Sequence, residues 1–286
     1  MESQQILKAP AKVNLTLDVL NRREDGYHNM RMVMQSVGLY DDLTLTFGGD
    51  GIRVKTQAAF LPGDEKNLAV KAALLFWKWL GREPEPMCIE LQKHIPVCAG
   101  TAGGSSDAAA VLNALNQRCG NPLDQETMRM LGAQVGADVP FCLMGGTALA
   151  EGKGEVLTPL PALPNCQIVL SKPNFSISTP ELFGRIQCGK IRRRPDTSGV
   201  IESLKRGDLT GVARRMYNVF EDVLPERCQT AVKEIKHTLI VHGALGAVMT
   251  GTGPTVFGLF DDPVSAQAAY QSLKERYAET FLTGCV

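Results

Sequence analysis

The residues best equipped for chemistry lie in Ile95–Ala110, where Pro96, Val97, Cys98, Ala99, Gly100, Thr101, Ala102, Gly103, Gly104, Ser105 and Ser106 run into an alanine-rich stretch. Gly100, Gly103 and Gly104 remove side chains, so backbone N–H groups can close on an anion. Ser105, Ser106 and Asp107 are N-cap residue types, and Ala108, Ala109, Ala110, Leu112 and Leu115 continue as helix formers. A glycine loop feeding a helix N-terminus suits phosphate, because unpaired N–H groups and the positive end of the helix dipole both face the ligand. The two serine hydroxyls can add hydrogen bonds to a phosphate or reach Mg2+. The bland alternative is a tight turn against a packed helix. The stretch is neither a Walker A loop nor a dinucleotide fingerprint, and no protein-kinase triplet stands elsewhere in the chain.

Two charged side chains elsewhere in the chain are candidates to act beside such a phosphate. Asp138 stands two residues before Pro140, after a glycine that stops a helix, where a carboxylate can act as a base. Lys12 opens a strand among uncharged neighbours, so its ammonium can meet the charge that develops on an acceptor oxygen. Taken alone, a turn-capping aspartate explains Asp138 equally well, and position alone favours a surface lysine at a strand end for Lys12.

The loop has companions. Pro10–Leu17 and Met249–Gly258, the latter reading Met-Thr-Gly-Thr-Gly-Pro-Thr-Val-Phe-Gly, stand in the order and separation of the first and third motifs of a known superfamily. With the loop as the second motif, the chain resembles the galactokinase, homoserine kinase, mevalonate kinase and phosphomevalonate kinase superfamily over nearly its whole length. Arg23–His28, Gly136–Pro140 and Ser176–Phe183 are similar to a branch whose acceptor joins a cytidine diphosphate group to a methylerythritol unit.

The resemblance implies an α+β fold of two lobes with the active site in the cleft between them. Residues 1–158 would form the ATP-binding lobe with the catalytic residues, and 159–286 a ferredoxin-like lobe contributing to the acceptor site. It implies ATP with Mg2+, transfer of the γ-phosphoryl to the tertiary 2-hydroxyl of the methylerythritol portion, and a place in the non-mevalonate isoprenoid route. Lys12 and Asp138 map onto the catalytic pair. Asn14, Tyr27, His28, Thr179 and Phe183 map onto acceptor recognition, with Tyr27 and Phe183 enclosing a pyrimidine and His28 bonding its edge. Asn67 and Leu68 are expected at the adenine with Lys93 nearby, and Gly251 and Gly253 bring a third loop close to the acceptor or phosphate. Thr101 replaces the usual leucine, Ala102 a glycine, and Cys98–Ala99 a pair often glycine. Alanine keeps the loop small if positions 99 and 102 do not need φ > 0, whereas Thr101 puts a hydroxyl where an apolar anchor is expected and bears on loop rigidity or nucleotide affinity. Rival readings are a sibling kinase for mevalonate, homoserine or a sugar, and a non-catalytic ligand sensor.

Composition bounds these readings. Thirty basic and thirty acidic residues give zero formal charge, which removes the electrostatic case for nucleic acid or an anionic membrane, and leaves phosphate to local groups. The eight cysteines include no Cys-x-x-Cys pair, so no resident zinc or redox centre is expected. Cys98 reads as packing. No apolar run reaches membrane length and the first residues lack a signal pattern, so a cytoplasmic chain is expected, monomeric or weakly dimeric.

The elements that must position these residues follow from periodicity. Asn14–Val19, Asp42–Phe47, Ile52–Lys55, Cys88–Leu91, Gly145–Ala150 and Gln167–Leu170 read as strands. Asn67–Leu80 and Asp124–Val135 read as helices, the second capped by Asp124, with Trp77 and Trp79 as core and flank residues. Thr179 opens a helix with Pro180 in its first turn, and Arg192–Pro195 reads as a solvated loop. Helices at 211–221, 225–241 and 263–278 and strands at 246–249 and 255–260 complete the C-terminal half.

Overall fold

A computed structural model describes residues 4–58 and 60–286. Two long strands come first, β1 (Gln4–Arg22) and β2 (His28–Phe47), both far longer than their alternating cores suggest. The chain gathers into two compact units that interleave along the sequence. One holds the chain up to Ala11 with Leu39–Val97 and Ala102–Met144, and the other Lys12–Gly38, Cys98–Thr101 and Gly145–Val286.

The first unit packs helices against a small sheet. β3 (Ile52–Thr56), α1 (Leu68–Trp79), β4 (Met87–Gln92), α2 (Gly103–Arg118), α3 (Gln125–Val135) and α4 (Val139–Met144) follow in order. β4 pairs antiparallel with the second half of β2, from Asp42 opposite Gln92 to Phe47 opposite Met87, and parallel with β3. Period-2 alternation sends Leu43, Leu45, Phe47, Met87, Ile89 and Leu91 to one face, where they meet Phe76, Val111, Leu112, Leu115 and Leu131. α1 and α2 both give alanines to this core, Ala69, Ala72 and Ala73 from one and Ala108, Ala109 and Ala114 from the other. Small side chains let two helices approach closely. Trp77 is buried in this core and Trp79 is exposed beside it.

The second unit continues with β5 (Thr147–Gly152), which pairs with Met30–Gln35 of β2, and β6 (Val156–Pro159) beside it. Then come β7 (Gln167–Lys172), α5 (Thr179–Arg185), α6 (Thr197–Lys205), α7 (Leu209–Arg215), the two-residue β8 (Tyr217–Asn218), α8 (Glu226–Val241), β9 (Gly246–Met249), β10 (Val256–Phe260), α9 (Pro263–Lys274) and β11 (Glu279–Gly284). β7, β9, β10 and β11 form an antiparallel sheet in the order β11–β7–β10–β9, with α8 and α9 packed against it. This βαββαβ order is the ferredoxin-like arrangement. Gly258 leaves room on β10 for Leu239 of α8, since a Cβ there would meet it at 3.3 Å.

Several sequence expectations are corrected. The helix expected at 211–221 stops at Arg215, where β8 and a 3-10 turn at Val219–Val223 take over. The helix expected to reach 278 ends at Lys274 and a strand follows. α6 and β11 were not expected. Arg192–Pro195 is not simply a solvated loop: Arg194 donates to Asp18 Oδ1 at 2.6 Å, to the Val19 carbonyl and to the Cys188 carbonyl, and the Arg193 guanidinium lies 4.5 Å from the Tyr217 ring centre.

Candidate functional site

Strand geometry sorts the residues of β1 into a polar and an apolar stripe. Residues two apart share a face, so Lys12, Asn14, Thr16 and Asp18 form one stripe, and Val13, Leu15, Leu17 and Val19 the other. All eight are buried. Buried polar groups need partners, and this stripe has them. Asn14 is its hub: its Oδ1 accepts from Lys12 Nζ at 2.9 Å and from the Gly251 N–H at 3.0 Å, and its own N–H donates to Thr250 Oγ1 at 3.0 Å. The Thr250 hydroxyl has one proton to give and lies 3.2 Å from both Asn14 Oδ1 and the Gly100 carbonyl. Farther along, Thr16 Oγ1 accepts from the Val33 N–H and lies 3.2 Å from the Thr197 hydroxyl. At the end of the stripe, burial pushes the Asp18 carboxyl above its ordinary range against the pull of Arg194.

Through this hub the second unit brings pieces of three motifs together. The Lys12 N–H donates to the Thr101 carbonyl at 3.1 Å. A Cβ on Gly100 would lie 2.2 Å from the Thr250 carbonyl oxygen, and one on Gly251 would lie 2.8 Å from Gly100 Cα. Only glycine allows backbones this close, and both residues have positive φ, 77° and 56°. Gly253 is tied back by its N–H to the Thr250 carbonyl at 2.9 Å.

Of the aromatic residues expected at the acceptor, two are in ring contact with each other. The His28 ring stacks on Phe183, with centroids 5.2 Å apart and 28° between planes. Phe220 meets the same Phe183 edge-on at 4.9 Å. Tyr27 is 60% exposed with Lys153 Nζ 5.0 Å from its ring centre. Burial and Arg22 lower the His28 pKa, so the imidazole is neutral at pH 7. Thr179, the first residue of α5, is hydroxyl to hydroxyl with Thr252 at 2.9 Å, which joins that helix start to the third glycine loop.

The glycine loop before α2 has left-handed residues at Cys98, Gly100 and Ala102, with φ of 52°, 77° and 57°. Ala99 does not require positive φ but Ala102 does, so the replacement at 102 carries a backbone cost of about 1 kcal/mol. Ser105, Ser106 and Asp107 are not caps. α2 starts at Gly103 with Ala102 as its N-cap and no side-chain cap, which leaves the first-turn N–H groups without an internal acceptor. The Ser106 hydroxyl instead donates to the Pro10 carbonyl at 2.7 Å. Cys98 is exposed rather than packed, and Thr101 is buried although polar.

In the first unit Asn67 caps α1, accepting from the Ala69 N–H at 3.0 Å and donating to the Pro62 carbonyl at 3.0 Å. Leu68 follows it, within 3.6 Å of where a Gly104 Cβ would stand. Lys93 pairs with Asp41 and, at 2.7 Å, with Asp107. Asp138 is half-buried immediately before α4, and its carbonyl accepts from Cys142 at 3.1 Å. Asp41, Asn218 and Thr250 were not anticipated in these roles. Only Thr250 carried a signal, its place inside the third glycine loop.

Residues 67–146 match the GHMP kinases N terminal domain and residues 200–279 the GHMP kinases C terminal domain. The chain belongs to the GHMP kinases, ATP-dependent enzymes that phosphorylate small molecules. Within them it falls among the 4-diphosphocytidyl-2-C-methyl-D-erythritol kinases. It is 44% identical to the Alkaliphilus metalliredigens enzyme of that name over 96% of this chain and 94% of that one. Against the Lachnospira eligens enzyme the figure is 46%, covering 94% and 93%. A crystal structure of 4-(cytidine 5'-diphospho)-2C-methyl-D-erythritol kinase superposes with a TM-score of 0.82 at 32% identity, covering 99% of both chains. A homoserine kinase from Cytophaga hutchinsonii, 20% identical, shares the fold with a TM-score of 0.77 over 100% of this chain and 95% of that one. Among the described residues no helix is long and apolar enough to cross a membrane.

Proposed function

We propose that this chain transfers the γ-phosphoryl group of MgATP to the 2-hydroxyl of 4-diphosphocytidyl-2-C-methyl-D-erythritol, giving the 2-phosphate and ADP for isoprenoid precursor synthesis. The observation that carries this reading is the stacked His28–Phe183 pair in the same unit as the Lys12–Asn14–Gly251 network. A flat pyrimidine extends such a stack, and a neutral imidazole offers its edge one donor and one acceptor. Mevalonate, homoserine and sugars have no ring of this kind.

In this reading Lys12, held by Asn14, meets the charge on the acceptor oxygen, and Asp138 takes its proton. The loop Pro96–Ser106 receives the phosphates on backbone N–H groups, with Mg2+ arriving as part of the nucleotide. Asn67 acts at the adenine as the cap that sets the start of α1, with Leu68 supplying apolar surface. Lys93 acts indirectly, because its ammonium is taken up by Asp41 and Asp107. Thr179, Gly251 and Gly253 line the acceptor side, with Tyr27 as an outer aromatic residue. The functional division into a nucleotide half, 1–158, and a half contributing to the acceptor site, 159–286, belongs to the same proposal.

The test is ADP release from MgATP with the cytidyl acceptor, mevalonate, homoserine and galactose in parallel. Turnover confined to the cytidyl acceptor supports the assignment. Turnover with another acceptor keeps the kinase and discards the ring reading.

A further inference from the structure

We propose that Asn218 and Phe220 are positioning residues for the acceptor site, fixing the third glycine loop and the Phe183 ring through one short segment. The inference rests on the acceptor reading above, and on contacts that lie wholly within the second unit. Asn218 is fully buried. Its Nδ2 donates to the Met249 carbonyl at 2.7 Å and the Gly251 carbonyl at 2.8 Å, and its Oδ1 accepts from the Phe220 N–H at 3.0 Å. Both amide protons are used, and the reversed orientation would set an oxygen against two carbonyls.

Glu221 completes the grip. Its Oε1 accepts from the Met249 N–H at 2.8 Å and its Oε2 pairs with Lys236 of α8. Met249 is thus held at both its N–H and its carbonyl, immediately before the loop that carries Thr250 and Gly251. Opposite this grip, Phe220 is fully buried and meets Phe183 edge-on, while Phe183 stacks on His28. β8 lies parallel to β1, with Leu17 opposite Asn218 and Thr16 opposite Tyr217, on the strand that carries Lys12 and Asn14.

One stretch, Tyr217–Glu221, therefore touches the strand of the ammonium, the glycine loop and the ring that would receive the pyrimidine. A loop backbone displaced by an ångström loses its alignment with a reacting group, so positioning appears in turnover. A ring displaced by the same amount appears in acceptor affinity. The two side chains make separable predictions.

The experiment compares Asn218→Ser and Phe220→Leu with the wild-type enzyme, using the cytidyl acceptor, MgATP and cytidine diphosphate as a competitive inhibitor. Asn218→Ser is expected to lower kcat at least 10-fold with the inhibition constant for cytidine diphosphate changed less than 2-fold. Phe220→Leu is expected to raise that constant and the acceptor KM about 5-fold, with kcat held within 2-fold. Circular dichroism melts select a temperature at which each variant is folded. Asn218→Asp, with the size of asparagine but one face turned repulsive, is expected to fall below Asn218→Ser in kcat. Variants that lose melting temperature while kcat, KM and the inhibition constant stay within 2-fold would overturn the inference. So would a uniform fall in kcat for both variants with no split. A wild-type enzyme inactive on the cytidyl acceptor would overturn the functional reading instead, whatever the variants do.

Discussion

Lys93 Nζ lies 2.7 Å from Asp107 Oδ2, joining the residue two positions before Ile95 to α2, the helix that follows the glycine loop. The same ammonium pairs with Asp41, whose Oδ1 accepts from the His94 and Ile95 N–H groups at 2.6 and 2.9 Å. One cation and two carboxylates thus brace both ends of the loop. Asp107 Oδ1 is buried without a hydrogen-bond partner among the described residues. Two carboxylates with one cation leave an uncompensated buried charge when both are ionised.

Stability should therefore depend on the protonation of Asp107. Burial pushes this carboxyl up to about 7, with Lys93 opposing the shift and Asp41 adding to it. The folded chain then keeps a proton that the unfolded chain gives up near pH ~3.9. Stability is greatest when the pH is low enough to protonate Asp107 and is lost as pH rises toward 7. Between pH 8 and pH 6 the gain should be on the order of 1 kcal/mol. Urea denaturation at pH 6, 7 and 8 should show that slope in the wild type and lose it in Asp107→Asn. An equal slope in both proteins would place the titration elsewhere.

The close approach of Gly100 to Thr250 makes a sharper claim about backbone. A methyl group at 100 would meet the Thr250 carbonyl oxygen at 2.2 Å, in a conformation with φ of 77°. Gly100→Ala should cost about 1–3 kcal/mol and separate the two loops, with turnover down at least 10-fold. Ala102→Gly is the control. It removes a left-handed alanine but adds unfolded-chain entropy of similar size, so stability should change by less than about 1 kcal/mol. Thermal melts and initial rates on both variants check the contrast.

Periodicity made much of the fold legible, because α1, α3, β4 and β7 each bury one face or one continuous run. The start of α2 was misread for a physical reason. Ser105, Ser106 and Asp107 are capping residue types, yet the backbone caps itself at Ala102 and the side chains serve longer contacts, to Pro10 and Lys93. Lys12, Asn14 and His28 are candidates in the sequence because the resemblance carries them along with the motifs around them. Asn218 gives no such sign: its partners lie 31 and 33 residues away and are backbone carbonyls, which leave no trace in side-chain spacing. β8 is two residues long and set by its parallel register with β1, too short for any pattern.

His28 and Phe183 should separate affinity from chemistry. His28→Phe keeps an aromatic ring against Phe183 but loses the polar edge, worth about 1–1.5 kcal/mol for one hydrogen bond. The acceptor KM should rise about 5- to 10-fold, with the ATP KM unchanged. Because the His28 pKa is lowered, the wild-type acceptor KM should be level between pH 7 and 8.5. A rise within that window would show that the imidazole is not the group that matters.

Asp138→Asn and Lys12→Met test the proposed chemistry most directly. An asparagine keeps the size of Asp138 but cannot take a proton. Turnover should fall about 100- to 10,000-fold, the usual range for a general base, with ATP affinity changed less than 2-fold. Lys12→Met keeps the packing of a side chain 4% exposed and removes its charge. Asn14 Oδ1 would still accept from the Gly251 N–H, so the glycine loop should stay in place. The loss should therefore fall on kcat rather than on either KM, as expected for an interaction made in the transition state. Equilibrium binding of ATP to each variant, beside single-turnover rates, separates the two effects. A variant that binds ATP normally and turns over at the wild-type rate would remove that residue from the catalytic pair.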